Sequence, residues 1–488
     1  MSAGSTTTDA RGVLRVQDPR VDRPASDAEA GGHSGGVPVL RRIPVVGCLL
    51  FAALGAAYFF GYGPWVIGNS QWTTGGDLWG IVRGAHYVGW GAIGDIYGHG
   101  TGVITFPGIF VVLAPVAMLS GALGLSESYG SFLLVHPTAA LLFQPAEILL
   151  AFPAVFAADA LARRLGAKAR QRWLLSVASA LGCFMAVSVW GHAEDVLAVA
   201  LTLYAIDALV AGAHRRMGWL YGLAIVMQPL VVLVAPILLA ACPAGRRVRF
   251  VVRSALPSTT LIGLCLASDW SGTVSVLLHQ PAYPQGNHAT PWLALMHEQF
   301  QARRPTSRIL YAAHGGYTVV TGSAKPLVIA SGGPMRIVAM GIASAIGIWV
   351  WRRATSLDML VWLCAVALAL RCVFEPVMTP YYLVPPLLVA FVSLARTTLV
   401  RQVAGIVVAI GACAYAFFHE GPWVWWLPVT GMLVAVLVLA MPVADRMSAA
   451  RERDGAGERG LAECRTYGGV RRRVGEPVGA GEGAVPYE

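Results

Sequence analysis

Polar and apolar positions fall along this chain in long blocks rather than short alternations. A polar stretch over residues 1–40 gives way to an apolar run at about 44–62. Similar runs recur up to about residue 443, and 445–488 is polar again. Roughly 20 consecutive apolar residues carry a helix across a bilayer's hydrocarbon core, so the pattern predicts an all-α polytopic membrane protein. Residues 41–444 form its transmembrane domain, flanked by disordered tails at 1–40 and 445–488.

Basic residues orient the runs, because cytoplasmic flanks are enriched in Lys and Arg. Arg41 and Arg42 precede the first run and set its start in the cytoplasm. The polar N-terminus has no apolar signal core and is expected to stay there uncleaved. The next cluster, Arg163, Arg164, Lys168, Arg170 and Arg172, requires an odd number of crossings between 103 and 162, and three fit the lengths. From Trp173 a helix leads out to "WGHAED" (190–195), and another returns to Arg215 and Arg216. The segment 217–241 has arginines beyond both ends and is interrupted by "MQPL" at 227–230, leaving halves of about 16 Å at 1.5 Å per residue. A re-entrant hairpin turning at Gln228 and Pro229 satisfies the charges; one kinked helix is the alternative. Broken backbone within a membrane is tolerated where it is buried in protein or lines a cavity, so this segment is expected to floor a site. The later runs bring the expectation to about 12 spans plus the re-entrant pair, with outer loops at about 63–103 and 268–325 and both termini cytoplasmic.

Composition supports the membrane assignment: 56% of residues are hydrophobic, 13% are charged, and the mean hydropathy is +0.61. The net charge of +10 does not come from the tails, where four Arg face five acids and eight Arg face eight. The surplus lies in the membrane domain, where the orientation rule accounts for it. No basic stripe with interleaved aromatics marks a nucleic-acid partner. Arginine outnumbers lysine 34 to 2 beside abundant Ala, Gly and Val, an association with high-G+C bacterial genomes that places the chain in a bacterial plasma membrane. The eight cysteines are scattered without CxxC pairs, as small packing residues rather than zinc ligands or disulfides.

Ionisable groups in or beside a bilayer are costly and mark function. Sorted by expected side, acids gather outside: Asp77, Asp95, Glu194, Asp195, Asp269, Glu298 and Glu375, with His192 among them. Such a cluster could act as a general base, bind a divalent cation or carry protons. Asp77 could accept a proton from a substrate hydroxyl, or cap a helix beginning at Leu78. Asp95, in "GDIYG", reads as a turn residue. His192 and Asp195 are spaced to share one helical face, with Glu194 turned elsewhere. They could hold a cation, but polar capping explains them equally, and no metal or cofactor is assigned. Arg371 and Glu375 are spaced for an i,i+4 ion pair; alternatively Arg371 clamps a lipid-linked phosphate, a role open also to Arg83, Arg303, Arg304 and Arg308. Asp159 and Arg163 read as a local pair. Glu147 and Asp207 are the acids expected deepest in the membrane, where a proton or substrate path would need them.

The order of parts resembles the GT-C fold of polytopic glycosyltransferases: an apolar first helix, "GDLW" (76–79), "GAIGDIYG" (91–98) and the entry "TFPGIFVVLAPVA" (105–117). It is most similar to the family 87 polyprenyl-phosphate-mannose-dependent alpha-mannosyltransferases of actinobacteria. "GWLYGLAIVMQPLVVLVAPILLA" (218–240) resembles that fold's broken segment, with Gln228 where lysine is common, and "FEPVMTPYYLVPPLLVA" (374–390) resembles its late Tyr-rich helix. "FPG" (106–108) departs from the family's double proline. The resemblance implies that Asp77 is the catalytic base, with Asp95, Arg83, His192, Glu194, Asp195, Gln228, Arg371 and Glu375 around the substrates. It implies inverting transfer of a sugar, mannose favoured, from a polyprenyl-phosphate donor to a glycolipid or polysaccharide hydroxyl on the outer face. A transporter or lipid flippase, and an inactive membrane scaffold, are the rival readings.

Overall fold

The computed structural model describes residues 7–8, 14–15, 42–62, 77–98, 103–125, 138–278, 288–301, 307–311, 317–321, 327–331, 333–353, 355–418 and 421–442. Both expected tails lie outside these, apart from two short paired strands, β1 (Thr7–Thr8) and β2 (Leu14–Arg15).

The architecture is all-helical. Seven helices among the described residues are long and apolar enough to cross a membrane: 43–60, 140–164, 169–189, 244–268, 335–352, 357–374 and 422–440. Large apolar side chains on their outer faces, such as Leu49, Leu149, Ile337 and Val438, are exposed by more than half, a surface suited to lipid tails. The chain is a multi-pass membrane protein.

In chain order the helices are α1 (Ile43–Ala57), α2 (Leu78–Gly89), α3 (Gly108–Ala122), α4 (Ala140–Arg164), α5 (Ala169–Cys183), α6 (Ala193–Val210), α7 (His214–Met227) and α8 (Ala235–Ala241). They continue as α9 (Arg247–Ser268), α10 (Trp270–Leu278), α11 (Met335–Arg352), α12 (Leu357–Phe374), α13 (Val384–Leu394), α14 (Leu399–Tyr415) and α15 (Pro422–Ala440). Small residues suit close approach of the central helices: α4 and α6 pack together, and Ala151, Ala154 and Ala158 of α4 and Ala193, Ala200 and Ala208 of α6 are all buried. Every residue of α13 is buried, as expected of a helix apolar all round.

The arginine-flanked ends meet at one end of the bundle. Arg164 pairs with Asp207 at 2.5 Å, Arg396 donates to the Gly166 carbonyl, and Gln171 and Gln402 tie α5 to the start of α14. Asp207 is thereby at this basic end rather than deep in the bundle. Asp159 does not pair with Arg163. It takes both ends of the Arg172 guanidinium at 2.7 Å in a buried fork, because α5 lies against α4 there. Replacing Arg172 with Met should leave Asp159 buried and unpaired, and lower stability by about 3–5 kcal/mol. Thermal unfolding in detergent reads this loss, and adding Asp159→Asn should recover most of it.

The stretch 103–162 departs from the expected three crossings, since its described residues form two helices, with 126–137 outside the description. α3 lies beside α2 in the same direction, Gly84 against Phe110 and Gly89 against Met118. Pro145 and Pro153 sit inside α4 without ending it. The run expected at 326–351 begins as a strand, Leu327–Ser331, because Gly333 and Pro334 interrupt it before α11. This strand pairs with His297–Gln301, and Ser307–Tyr311 pairs with Tyr317–Thr321, inside the loop expected at 268–325.

The break at Gln228 is present. α7 ends there, Pro229–Val234 forms a 3₁₀ turn, and α8 follows. Gly218 lies against Arg253, and Gly222 against Ser254 and Pro257, so α7 and α9 run parallel. The intervening chain therefore returns to the end it left, as a hairpin must.

Candidate active site

Three consecutive residues, Trp190, Gly191 and His192, build the centre. The helix from Ala169 ends in a π-helical turn, Phe184–Val189, a feature frequent at functional sites. Gly191 then takes φ +77, a left-handed conformation that favours glycine. A Cβ there would lie 2.8 Å from the backbone N of Leu78, so the missing side chain also admits the start of α2. The Asp77 N–H donates to the Trp190 carbonyl at 2.9 Å, docking the first loop on this turn. Gly191→Ala should push α2 away and lower any activity that depends on Asp77 by on the order of 10²-fold, the usual consequence of an ångström-scale misplacement. Reaction rates beside a thermal melt separate this from unfolding.

Asp77 occupies the N-cap position of α2, but its side chain makes no capping bond. Its Oδ2 lies 3.0 Å from His192 Nε2, and His192 Nδ1 lies 2.6 Å from Glu194 Oε1. The imidazole thus bridges two carboxylates, one buried (Glu194, side chain 1% exposed) and one open (Asp77, 53%). Burial opposes charge on the ring, yet the Glu194 and Asp77 carboxylates outweigh it and hold His192 protonated well above the ordinary histidine range. His192 does not share a helical face with Asp195 as expected. It precedes α6 with non-helical angles and turns to Glu194, which frees Asp195 for other partners.

Asp195 accepts from Gln228 Nε2 at 2.5 Å and lies 3.9 Å from Arg371 Nη1. The broken hairpin therefore reaches the site through Gln228, and together with α6, α12 and the segment after it encloses a small cavity lined by Asp195, Gln228, Leu368, Arg371 and Tyr382. Arg371 does not pair with Glu375. Glu375 takes a forked pair from Arg336, with contacts of 2.5 and 3.2 Å, because the chain turns out of helix α12 at Glu375. The Arg371 guanidinium stacks on the Tyr382 ring, 3.3 Å from its centroid, and buried Nε and Nη1 have no hydrogen-bond partner among the described residues.

Tyr381 and Tyr382 join the two halves. Tyr381 stacks on His192 with centroids 3.6 Å apart, while its neighbour stacks on Arg371. Adjacent residues on this turn thus set the Asp77–His192–Glu194 chain beside the Asp195–Arg371 pair. The turn is anchored by a short ladder, strand Val377–Met378 against strand His288–Ala289, and by Thr290 Oγ1 donating to the Glu375 carbonyl at 2.8 Å.

Other expected residues stand apart. Asp95 is exposed in a 3₁₀ turn, as a turn residue should be, and no described contact ties it to the cluster. Arg83 lies over Trp79 on the surface of α2. Arg303 and Arg304 lie outside the described residues, and Arg308 falls in strand Ser307–Tyr311. Among the described residues no His, Cys, Asp and Glu group is arranged to hold a metal ion.

The residues missed in sequence are Tyr381, Tyr382, Trp190 and Arg336. The tyrosines were visible as a pair in "TPYYL", but nothing in their spacing announced His192 or Arg371 as partners. Neither a protein-family model nor a curated protein matches the chain.

Proposed function

We propose that the protein is an inverting membrane glycosyltransferase that moves a sugar, mannose favoured, from a polyprenyl-phosphate donor to a glycolipid or polysaccharide hydroxyl at the outer face of a bacterial plasma membrane. One observation carries the reading: an open carboxylate held by a buried His–Glu pair stands beside a buried arginine with unpartnered donors. Transfer from a phosphate-linked sugar needs those two elements, a proton acceptor for the attacking hydroxyl and a cationic holder for the departing phosphate.

Asp77 Oδ2 is engaged by His192, and Oδ1 has no partner among the described residues. The hydroxyl gives its proton to Asp77 as its oxygen attacks the anomeric carbon from the face opposite the phosphate. The bond to the phosphate oxygen breaks with its electron pair, and Arg371 offers Nε and Nη1 to the leaving anion. Asp195, itself held by Gln228, lies beside Arg371 as its counter-charge, and Tyr382 fixes the plane of the fork. The lipid-facing bundle suits a substrate with a polyprenyl tail, and the resemblance to the GT-C fold supports the same reading.

A transporter remains the second reading, and Glu147 favours it as a fully buried acid. The stereochemical course tests the proposal: the product formed from a donor of known anomeric configuration should be inverted. A retained configuration would contradict direct attack assisted by Asp77.

A further inference from the structure

Glu147 takes no part in this transfer scheme. It lies in the first part of α4, is fully buried, and neither carboxyl oxygen has a hydrogen-bond partner among the described residues. Gln144, three residues earlier on the same face, is 2% exposed, and neither amide atom has a partner among the described residues. α4 packs along α6, whose first turn carries the buried Glu194. Glu194 in turn uses Oε1 for His192, while its buried Oε2 has no donor among the described residues. An isolated carboxylate at such a position is far costlier than the neutral acid. Two facing carboxyl groups do not both ionise readily, and the neutral one supplies the donor that the other lacks.

We propose that Glu147 is carried as the neutral acid and donates to Glu194 Oε2, directly or across one ordered water held by Gln144, making it the positioning residue that sets the charge of the His192–Asp77 pair. Its purpose rests on the transferase reading, whereas its protonation can be measured without substrate. When Asp77 takes the acceptor proton, the imidazolium can pass its Nδ1 proton to Glu194. Asp77, His192 and Glu194 are then neutral, and Glu147 keeps its own proton. The titratable groups around His192 are Asp77 from the start of α2, Glu194 and Asp195 from α6, Glu147 from α4 and Tyr381 from the turn before α13, with Arg371 of α12 beyond Asp195.

The test uses full-length protein in nanodiscs, labelled with ¹⁵N-histidine and free of donor and acceptor, with the His192 signals assigned from a His192→Gln variant. Glu147→Gln keeps a neutral donor and should leave the His192 titration midpoint unchanged. Glu147→Met removes the donor, makes Glu194 harder to ionise, and should lower the midpoint by about one pH unit. An equal fall in both variants would mean that Glu147 acts through its charge, and no fall in the Met variant would mean that it is uncoupled; either overturns the proposal. Should the Met variant not fold, infrared spectra decide. A protonated-carboxyl band present in the wild type and missing from Glu147→Gln supports the proposal, and identical spectra overturn it. No sugar enters these measurements, so a failed transfer assay leaves their outcome intact.

Discussion

Replacing Asp77 with Asn is expected to lower sugar transfer by roughly 10²–10⁴-fold, the span general-base catalysis commonly contributes, while the protein stays folded and still binds polyprenyl phosphate. The substitution is nearly isosteric, and the amide oxygen can still accept from His192 Nε2, so the geometry of the turn at Gly191 is kept. What is lost is the ability to take a proton. The same variant separates base from cap: Asn caps a helix about as well as Asp, so a capping role would leave activity and stability unchanged. Asp77 forms no capping bond, and its side chain is 53% exposed beside a buried partner. Those are the properties of a group that meets a substrate. Initial rates at saturating donor, with a melting curve for each protein, check the result.

Arg371→Lys should cost about 10²–10³-fold in transfer although it keeps the charge. A guanidinium presents a planar fork that matches two phosphate oxygens and can lie flat on Tyr382, whereas an ammonium does neither. The ring lies 3.3 Å from Arg371 Cζ, and Nε and Nη1 have no partner among the described residues, so the orientation of this fork is imposed by its surroundings. The loss should fall mainly on kcat, because charge on the leaving phosphate grows in the transition state. Arg371→Gln should also unfold more readily, by about 3–5 kcal/mol, since it leaves Asp195 buried without its cation. A Lys variant with wild-type kcat would remove Arg371 from the chemistry.

Much of the scaffold was legible in the order of apolar runs and arginines. Each run from α4 onward ends near the predicted residue, and the basic clusters do gather at one end of the bundle. The interruption at Gln228 was readable from the arginines beyond both ends of 217–241, which one straight crossing would put on opposite sides; its proline alone does not decide, since Gln144–Pro145 stands inside α4 without ending it. The first 125 residues were less legible, because α2 and α3 lie side by side and a hydropathy pattern does not say whether a short apolar helix crosses or lies across the end of a bundle.

The site was legible by residue type and illegible by partner. Asp77, His192, Glu194, Asp195, Gln228 and Arg371 were all singled out, and the structure brings these six together. Their pairings were misjudged wherever spacing along one helix was used as the guide. His192 bonds Glu194 because it precedes the helix, Glu375 turns to Arg336 at a helix end, and Asp159 finds Arg172 across a helix crossing. Local spacing sees i,i+3 and i,i+4 neighbours and nothing between elements. The contacts that assemble the site span 115 residues from Asp77 to His192 and 33 from Asp195 to Gln228.

The most direct test of the central claim is transfer itself. Purified wild-type protein in nanodiscs would be given a panel of labelled polyprenyl-phosphate sugars with cell-envelope lipid extract as acceptor. Label is expected in a lipid- or polysaccharide-linked product from one donor, mannosyl polyprenyl phosphate first, with release of polyprenyl phosphate in equal amount. Folded protein that binds polyprenyl phosphate yet forms no product from any donor would contradict it.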